Sequence, residues 1–574
     1  MSEISLRRNG KIISRKYFEY FFPTVFTAMA NNIAVMVDTI LVGNMVGSTS
    51  MAAINLLSPI VQLYFSLTIL FGLGSSAIIS YAKGNNDKKT ADKTYTVTFA
   101  SIIILCAVLI IVQFIFIDDI ASMFTNIPEL KGELVLYYIP FIAGTPFSLL
   151  LPSVVHCIRS DGRPTFASNL IIISNAVNLL IDIILMGTLN MGIIGSSIAT
   201  VIGNVIAFAI MLTHFKNKKN TLHFDFSILK NPKEFFRTFA LLFTTGLSGA
   251  LGTLLITVKM FFLNGIIQNT AGAEGIVAMS VISMCQIFIS AFITGASQTM
   301  IPIVSVLFGE GDFTGIKYAF KNAVFVLVIS SVAIMLLIEA IPEAVARLFG
   351  DLSAEEMLVV VPALRISSLS YLGLSLSFLF MYYYMATTKR IIAVVISIVN
   401  GIVLIIPLAY VLGAFFGIDG IWYTLVIAQY GTLAVIVCIA FSMIIRSKGK
   451  YKNFYLLEEN SVNDVMSFSV DSDISEISVE AYITEELSVY DSDVKIRIAD
   501  AVKDLLLYTR SNIRNNKKHT ETDVRIRFEN DEYIVFMRND SDKLKPDESA
   551  FKKDTYKKFD FTYVLGMNQI KITI

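Results

Sequence analysis

Two acidic residues lie inside long apolar stretches of this chain. Asp182 belongs to residues 167–186, where Asn175 and Asn178 precede it at a spacing that places all three on one helical face. Asp38 lies in the first apolar segment, within residues 26–43. A carboxylate at the centre of a bilayer costs roughly 2.5–3.5 kcal/mol on insertion scales, unless it faces a cavity, binds a cation or takes up a proton. The two acids therefore predict a pathway for protons or other cations.

The composition of the chain indicates a large membrane part. Of its 574 residues, 55% are hydrophobic and 16% are charged, and the mean hydropathy is +0.66. An average soluble domain carries about 25% charged residues. Charges between residues 17 and 445 occur in short clusters, whereas residues 451–574 are polar throughout. The net charge of zero averages a basic membrane part and an acidic tail, so it says nothing about nucleic acid. No nucleic-acid partner is expected.

About twelve stretches reach the roughly 17–25 apolar residues that a helix needs to cross a bilayer. They lie near residues 17–45, 52–80, 95–117, 134–158, 165–189, 192–216, 237–268, 275–308, 320–341, 357–385, 390–414 and 417–445. Lysine and arginine concentrate in the even-numbered connections, and Lys131 and Arg347 are the exceptions among the odd-numbered ones. Because basic loops stay in the cytoplasm, this pattern predicts that both termini are cytoplasmic.

The two halves of the apolar region repeat each other. Residues 43–76 resemble residues 265–298, and each segment leads to a short loop with a Gly-x-x-Asp core. The segment GIIGSSIATVIGNVIA, from Gly192, likewise resembles GIDGIWYTLVIAQYGTLA, from Gly417. Six spans separate the copies, so both have the same orientation in the bilayer. Bundles related in this way commonly enclose a substrate cavity and open alternately to either side. The alternative is a duplication without mechanistic consequence.

These features predict an all-α polytopic membrane protein with a small α+β cytosolic domain at its carboxyl end. The two predicted six-helix bundles cover residues 1–220 and 221–450. Residues 451–486 are acidic and rich in serine, which is typical of a linker. Residues 487–574 show an amphipathic helix, a hairpin around residues 530–531 and a final strand, so they predict the α+β domain.

Three segments of the apolar region resemble the signature segments of the MATE (multidrug and toxic compound extrusion) transporters. They are VDTILVG at residues 37–43, FGLGSSAIISYAKGNND at residues 71–87 and NLLIDIILMG at residues 178–187. Together with the repeat, the resemblance covers about residues 14–446. It implies a secondary exporter driven by the inward flow of protons or sodium ions. The wider superfamily also includes flippases for lipid-linked saccharides.

The resemblance also implies a cation site in the amino-terminal bundle. Its residues would be Asp38 in the first span, Asn178 and Asp182 in the fifth, and Thr200 in the sixth. Oxygen ligands at Asp38, Asn178 and Asp182 suit a hard cation such as sodium. Two neighbouring carboxylates equally suit the transport of a proton, so the coupling ion stays open. The alternative is that both acids only hydrogen-bond across helices and hold the bundle together.

A cationic substrate cavity is a second expectation for the apolar region. Some relatives carry acids in the seventh and tenth spans, where this chain has Lys259 and Arg365. A cationic cavity wall would favour anionic or zwitterionic substrates. The alternative is that both side chains reach out to the membrane interfaces. Asn32, Gln62 and Gln286 would either line the same cavity or bond between helices.

The tail resembles the GHKL-type ATPase domain of histidine kinases and anti-sigma-factor kinases. The resemblance rests on KDLLLY at residues 503–508, MRNDSDKLKP at residues 537–546 and FTYVLGMN at residues 561–568. Tyr508 stands where the metal-binding Asn is expected, Asn539 or Asp540 with Ser541 replaces the adenine-binding Asp-x-Gly, and Gly566 is the one glycine in place of a Gly-rich lid. A degenerate regulatory module that binds a cytosolic protein or a nucleotide is expected. The alternative is an unrelated α+β domain.

The leading prediction for function is a cation-coupled exporter of small organic compounds, with membrane lipid around it and no cofactor besides the coupling ion. A flippase for a lipid-linked saccharide or another amphiphile is the first alternative, and a receptor that signals through the kinase-like tail is the second. An enzyme is not expected, because no phosphate loop, metal-ligand cluster or nucleophile motif occurs. The expected location is the plasma membrane, as a multi-pass protein of a bacterial inner membrane.

Overall fold

The computed structural model describes most of the chain. It leaves out residues 1–5, 218–219, 349–351, 459–463, 472–473, 489–491, 513–520, 530, 542 and 545–555. The helices of the membrane part are α1 (Lys11–Met45), α2 (Ser48–Leu56), α3 (Ser58–Gly84), α4 (Lys88–Ile115), α5 (Ile117–Phe124), α6 (Pro128–Ala143), α7 (Thr145–Ser160), α8 (Pro164–Asp182), α9 (Ile193–Met211), α10 (Pro232–Gly309), α11 (Phe313–Ala340), α12 (Pro342–Arg347), α13 (Ala354–Ser368), α14 (Ser370–Ala386), α15 (Arg390–Ile398) and α16 (Ile405–Arg446).

Eight of the described helical segments are long and apolar enough to cross a membrane, and two bent pairs, α6 with α7 and α13 with α14, raise the number to ten. The 78 residues of α10 would measure about 117 Å at 1.5 Å per residue, several times the thickness of a hydrocarbon core. Both α10 and α16 pass through a glycine with non-helical backbone angles, Gly272 and Gly417. These glycines divide α10 and the continuous segment Arg390–Arg446, which joins α15 to α16, into two crossings each, and this brings the count among the described residues to the predicted twelve.

Local sequence determines where many of these helices begin. Asp87 and Asp312 cap α4 and α11, because each carboxylate accepts a hydrogen bond from the backbone N–H three residues later. Ser353 and Glu356 form a reciprocal capping box at the start of α13. Proline occupies the first turn of several others, where a missing N–H has no intrahelical partner to lose.

The predicted internal repeat is present in the backbone. Gly192 and Gly417, aligned from sequence, have φ/ψ angles of 61/−148° and 62/−143°. Asp87 and Asp312 end the two aligned Gly-x-x-Asp loops and perform the same capping role. Each half also contains a short π-helical segment, Ile183–Thr188 after α8 and Val399–Val403 after α15. The two halves are therefore structural copies.

The two halves meet along α3 and α10 at glycines that admit the neighbouring backbone. A Cβ on Gly84 would overlap the carbonyl oxygen of Val306, and a Cβ on Gly309 would overlap that of Tyr81. This reciprocal contact joins the ends of α3 and α10 that lie beside the Gly-x-x-Asp loops. Deeper in the bilayer, a Cβ on Gly246 would overlap the carbonyl oxygen of Leu70. Small residues thus bring the helices into close van der Waals contact.

The carboxy-terminal domain consists of a five-stranded antiparallel sheet and two helices. Its elements are β1 (Asp464–Val470), α17 (Glu476–Glu486), α18 (Ser492–Asn512), β2 (Thr522–Glu529), β3 (Glu532–Asn539), β4 (Lys558–Val564) and β5 (Met567–Thr573), with strand order β1-β2-β3-β5-β4. Alternate strand residues such as Val524, Val535 and Ile570 pack against apolar residues of both helices. The predicted hairpin around residues 530–531 is confirmed by the pairing of β2 with β3.

The predicted boundary of this domain is wrong. Residues 451–486 were expected to be an acidic linker, yet β1 pairs with β2 along six residue positions and α17 contributes Val479 and Ile483 to the core. The polar composition of this stretch misled the prediction, because its few apolar residues, such as Phe468, Val470, Val479 and Ile483, are buried in the domain core. The described part of the connection before β1, residues 451–458, also packs on the membrane part, where Tyr383 and Tyr384 donate hydrogen bonds to the carbonyls of Tyr455 and Phe454.

The other sheet face is basic and docks on the membrane part at the Gly-x-x-Asp loop before α11. Arg525 and Arg527 each donate a hydrogen bond to the Glu310 carbonyl, at 2.8 and 2.9 Å. Arg538 pairs with the Glu310 carboxylate and lies 3.3 Å from Asp312. We call this surface of the membrane part, which includes Glu310, Asp312 and Arg8, the terminal face.

Asp312 is the centre of this ion cluster. Arg8 donates to both of its carboxylate oxygens, at 2.7 and 2.5 Å, and Arg525 lies 3.7 Å away. Burial alone would raise the pKa of Asp312, but Arg8 and Arg525 hold it well below its usual range. The carboxylate therefore keeps its charge throughout the physiological pH range, and the cluster remains intact there.

The β4–β5 hairpin reaches into the terminal face. Val564, Leu565 and Met567 are buried in the same apolar cluster as the membrane helices. The turn at Gly566 lies so close to the loop between α7 and α8 that a Cβ on Gly162 would come within 2.5 Å of the Gly566 nitrogen. Gly566 is therefore part of a tight turn that packs on the membrane part. The domain thus contacts both halves of the membrane part.

The loop that receives the hairpin is held by a buried ion cluster of its own. Asp161 accepts hydrogen bonds from Lys83 at 2.5 Å and from Thr221, and His214 lies 3.2 Å from it. Burial alone would raise the pKa of Asp161, but Lys83 and these hydrogen bonds lower it to about 2. The loop therefore offers a rigid docking surface.

We expect Gly246→Ala to lower the thermal stability of the purified protein, because the added Cβ overlaps the Leu70 carbonyl and must separate α10 from α3. Overpacking of this kind costs about 1–3 kcal/mol. The measurement is the melting temperature in detergent. Gly132→Ala is the matched control, since Gly132 is an exposed helical glycine with nothing within 4 Å of its Cβ position, and its melting temperature should stay equal or rise. An unchanged melting temperature for Gly246→Ala would contradict the packing.

Candidate functional site

The structure brings together the four residues of the expected cation site. Asp38 comes from α1, Asn178 and Asp182 from the end of α8, and Thr200 from α9. Asn178 Nδ2 donates to Asp182 Oδ2 at 3.0 Å and to Thr200 Oγ1 at 3.2 Å. The carboxyl groups of Asp38 and Asp182 are close enough for their charges to act on each other. The site therefore joins three helices of the amino-terminal half.

The two carboxyl groups lack compensating charge. Asp182 is fully buried, and its Oδ1 atom has no hydrogen-bond donor among the described residues. Asp38 Oδ1 accepts one hydrogen bond, from Ser196 Oγ at 3.2 Å. Two carboxyl groups that face each other repel when both are ionised, unless a proton or a metal cation lies between them. The arrangement can therefore hold one positive charge.

The donor set suits a proton or a hard monovalent cation. Besides the two carboxyl groups, it supplies the hydroxyl groups of Ser196 and Thr200 and the amide of Asn178. Oxygen ligands of this kind are those that hard cations prefer. Within the described parts of the chain, no group of three or more His, Cys, Asp or Glu side chains could hold a metal ion, so a transition-metal site is not indicated.

Two backbone features position the acids. The π-helical segment Ile183–Thr188 begins directly after Asp182, at the point where α8 loses its regular hydrogen-bond pattern. Such segments occur frequently at functional sites. Gly203 on α9 lets α8 approach, because a Cβ there would come within 2.5 Å of the Ser174 carbonyl oxygen and 3.2 Å of Asn178 Cβ. Close contact at this glycine places Thr200 beside Asn178.

Sequence reasoning missed two residues of the site. Ser196, fully buried on α9, bonds to Asp38, and Tyr137 on α6 lies close enough to both acids for their charges to act on its hydroxyl. Ser196 precedes Thr200 by one helical turn, so a search along the helical face of Thr200 would have found it. No comparable signal in the sequence points to Tyr137.

A cavity of about 510 Å³ lies between the two halves. Four of the five residues expected to line it do so: Asn32, Gln62, Lys259 and Gln286. Asn32 and Gln62 also donate hydrogen bonds across helices, to the carbonyls of Ile287 and Thr253. Asn32 and Gln62 therefore line the cavity and also form hydrogen bonds between helices.

The cavity wall is connected to the acid-bearing helix. Asn31 on α1 lines the cavity, and its Oδ1 atom accepts a hydrogen bond of 2.7 Å from Asn175 Nδ2 on α8. Asn175 lies two turns before Asp182 on the same helical face. A movement of α8 that follows a change of charge at Asp182 would therefore reach the cavity directly.

Arg365 lies outside the cavity, so its expected role there is wrong. Its side chain is 52% exposed, and Glu339 lies 3.8 Å from its Nε atom. Arg365 occurs in the last turn of α13, near the bend before α14, where a long side chain reaches the surface. The Arg365 side chain therefore lies at the surface of the membrane part.

The tail residues that resemble nucleotide-binding motifs have other partners. Asp540 pairs with Arg15 of α1. The side chains of Asn539 and Ser541 are buried and bond to each other and to Asn568. These side chains hold the sheet together and dock it, so the structure supplies no support for a nucleotide at this position.

Comparisons with known proteins agree with this architecture. A profile of the MatE family matches residues 23–184 and 249–411, one segment in each half. The multidrug export protein MepA of Staphylococcus haemolyticus (strain JCSC1435) is 24% identical over 427 residues, which cover 73% of this chain and 91% of that protein. The probable multidrug resistance protein YoeA of Bacillus subtilis (strain 168) is 23% identical over 383 residues, which cover 64% and 80%.

Two solved structures share the fold. One is a multidrug resistance transporter in an outward-facing conformation, with a TM-score of 0.70, 20% identity and coverage of 76% of this chain and 97% of that chain. The other is a transporter from Pyrococcus furiosus that is described as having a binding pocket of reverse polarity. It has a TM-score of 0.70, 19% identity and coverage of 77% and 97%.

Proposed function

The chain belongs to the MatE family, and from that premise we propose that it exports small organic compounds in exchange for an inward-moving proton or sodium ion. It is a multi-pass membrane transporter whose relatives are multidrug export proteins. The observation that carries the proposal is the pair of facing carboxyl groups, Asp38 and Asp182, with one Asp182 oxygen left without a donor among the described residues.

Alternating access accounts for the coupling. A bound cation changes the equilibrium between outward and inward states only if its affinity for the two states differs. In the present state three helices, α1, α8 and α9, must stay together to hold one cation between the acids. Any rearrangement that separates α1 from α8 changes that affinity, and the Asn175–Asn31 hydrogen bond would pass the movement to the cavity wall.

The alternative functions differ in their support. A flippase remains the second candidate, because apolar side chains such as Phe65, Ile256 and Phe378 line the cavity beside its amides and would suit an amphiphile. The receptor has less support, since the tail residues that resemble kinase motifs are engaged in structural contacts. We also propose that the chain has no enzymatic activity and lies in a bacterial inner membrane with the terminal face towards the cytoplasm, as the basic loops indicate.

Asp182→Asn should abolish substrate-linked movement of the coupling ion, because the amide can neither take up a proton nor supply charge to a sodium ion. The measurement is substrate flux in proteoliposomes under separately imposed proton and sodium gradients. Whichever gradient drives flux in the unmodified chain identifies the coupling ion.

Asp118→Asn is the control for this variant, since it removes an acid that is 82% exposed in the short helix α5, and flux should be unchanged. Uncoupled, downhill flux should survive in Asp182→Asn, which shows that the variant is folded. Full gradient-driven flux in Asp182→Asn would refute the assigned site.

We further propose that the docked carboxy-terminal domain regulates export by keeping the terminal face closed. Its sheet binds the Glu310–Asp312 loop of the carboxy-terminal half, while its Gly566 turn packs on Gly162 of the amino-terminal half. Arg8, which precedes the first span, donates a hydrogen bond to Asp312 of the docking loop. Lys16, near the start of α1, donates one to the Gly566 carbonyl of the domain. Opening towards this face requires the two halves to separate, so the domain must release one of them first.

Charge reversal across the docking surface tests this regulation. Arg538→Glu and Glu310→Arg should each release the domain, because breaking a buried ion pair by altering one partner costs about 3–5 kcal/mol. Transport should change severalfold and hydrogen exchange should rise in residues 161–163 and 310–312. The double variant restores an opposite-charge pair and should bring both measurements back towards those of the unmodified chain.

Lys558→Glu serves as the control for surface charge, since Lys558 lies on the same sheet with 67% of its side chain exposed. This variant should leave transport and exchange unchanged. If exchange rises in the reversal variants while the transport rate stays the same, the domain docks without regulating transport, and the proposal is wrong.

A further inference from the structure

We infer that the central cavity selects organic anions, so that the exported substrate carries a carboxylate, sulfonate or phosphate group on an apolar body. This inference rests on the proposed export function, because it names the substrate class of the same transporter. Its basis is the charge of the cavity wall, which is independent of the acid pair.

Two basic side chains line the cavity, one from each half, and neither has an acidic partner among the described residues. Arg159 lies at the end of α7, is 7% exposed, and its Nε atom has no hydrogen-bond partner among the described residues. Its guanidinium makes a single side-chain hydrogen bond within the described part of the chain, a long one of 3.5 Å from Nη2 to Ser168 Oγ. Lys259 lies on α10 in the opposite wall, and the described residues give it no ion pair. His156 lies one turn before Arg159, and its imidazole also lines the cavity.

No acid balances these charges within the described residues that line the cavity. The acids of the nearby loop are already engaged, since Asp161 pairs with Lys83 and not with Arg159. Asp38 and Asp182 are not part of the cavity lining either. A buried charge without a partner is strongly unfavourable, so such sites usually mark a ligand or transport pathway. An anionic group is the occupant that a cavity with unpaired cations and no acid favours.

The remaining wall determines what the anion is attached to. Phe65, Ile69, Ile256, Phe378 and Tyr382 supply apolar surface, and the amides of Asn31, Asn32, Gln62, Gln286, Gln298 and Asn400 supply neutral hydrogen-bond partners. Asn400 Oδ1 is buried and lacks a donor among the described residues. A volume of about 510 Å³ is within the range of sites for drug-sized ligands. The cavity thus suits an amphiphilic organic anion and disfavours a small hydrated ion.

Position makes the two cations suitable for alternating access. Arg159 belongs to the amino-terminal half and Lys259 to the carboxy-terminal half. While the halves enclose the cavity, an anion inside it is attracted by a cation from each half, and the attraction to one of them falls when the halves separate. Substrate charge therefore contributes to the difference in affinity between states that coupled transport requires.

The test compares two probes with the same naphthalene body and opposite charge, naphthalene-2-sulfonate and 2-naphthyltrimethylammonium. Their binding to the purified full-length chain in detergent is measured by equilibrium dialysis, without any ion gradient. The unmodified chain should bind the sulfonate at least about tenfold more tightly than the ammonium compound. Lys259→Met and Arg159→Met should each lower sulfonate affinity about tenfold or more, whereas Lys259→Arg should retain most of it.

Arg365→Met is the matched control, since it removes a cation from the membrane part outside the cavity, and it should change sulfonate affinity less than twofold. If Arg159→Met does not fold, the comparison of Lys259→Met with Lys259→Arg still decides the matter. Equal or tighter binding of the ammonium probe to the unmodified chain overturns the inference, and so does an unchanged charge preference in Lys259→Met.

A lipid is a second source of the same anionic chemistry. Dihexanoylphosphatidylglycerol should be added as a competitor of the sulfonate probe. Competition assigns the site to anionic lipids and absence of competition assigns it to soluble organic anions, and both outcomes support the charge selectivity.

Failure of the inference and failure of the proposed function give different results. Gradient-driven flux of the ammonium probe alone would confirm export and overturn the anionic selectivity. Selective sulfonate binding without gradient-driven flux of either probe would support the selectivity and contradict coupled export.

Discussion

The cost of a charge without a partner in a medium of low dielectric constant governs the functional parts of this protein. It explains why Asp38 and Asp182 face each other across two helices, where one cation or proton can serve both. It also explains why Arg159 and Lys259 point to an anionic ligand, since neither has an acidic partner among the described residues. At the terminal face the protein itself supplies the opposite charges, because arginines surround Asp312 and Glu310.

A symmetric scaffold therefore carries an asymmetric distribution of charge. The two halves share glycine conformations, helix caps and π-helical segments, so their backbones are copies. The acid pair occurs in one half. Residues 394–408 of the other half, which resemble the region around Asp182, carry the neutral Asn400 and no acid. The repeated bundle allows the two halves to rock against each other. The charges that differ between the halves determine which ion and which substrate are transported.

The carboxy-terminal domain adds a constraint that the membrane part alone would lack. Its contacts reach residues from both halves, and they are made by charged groups and by an apolar hairpin tip. Such an interface is strong when complete and weakens sharply when a single ion pair is altered. This sensitivity suits a regulatory contact, because a modest change in charge or binding would shift the balance between docked and released states.

The sequence alone predicted those features that depend on short stretches of the chain or on its repeat. The twelve apolar stretches, the repeat, the acid pair with Asn178 and Thr200, and four of the five expected cavity residues follow from hydrophobic length, self-similarity and resemblance to a family. Arg365 escaped this reasoning, because the bend beside it decides whether a long side chain reaches the cavity or the surface. The domain boundary at residues 451–486 was wrong because strand β1 is recognisable only when β2 lies beside it. Only tertiary structure could bring Arg538 to Glu310, Tyr137 to the acid pair and Gly566 to Gly162. These contacts join residues far apart in the chain, and no local pattern records which of the many exposed charges and glycines will meet.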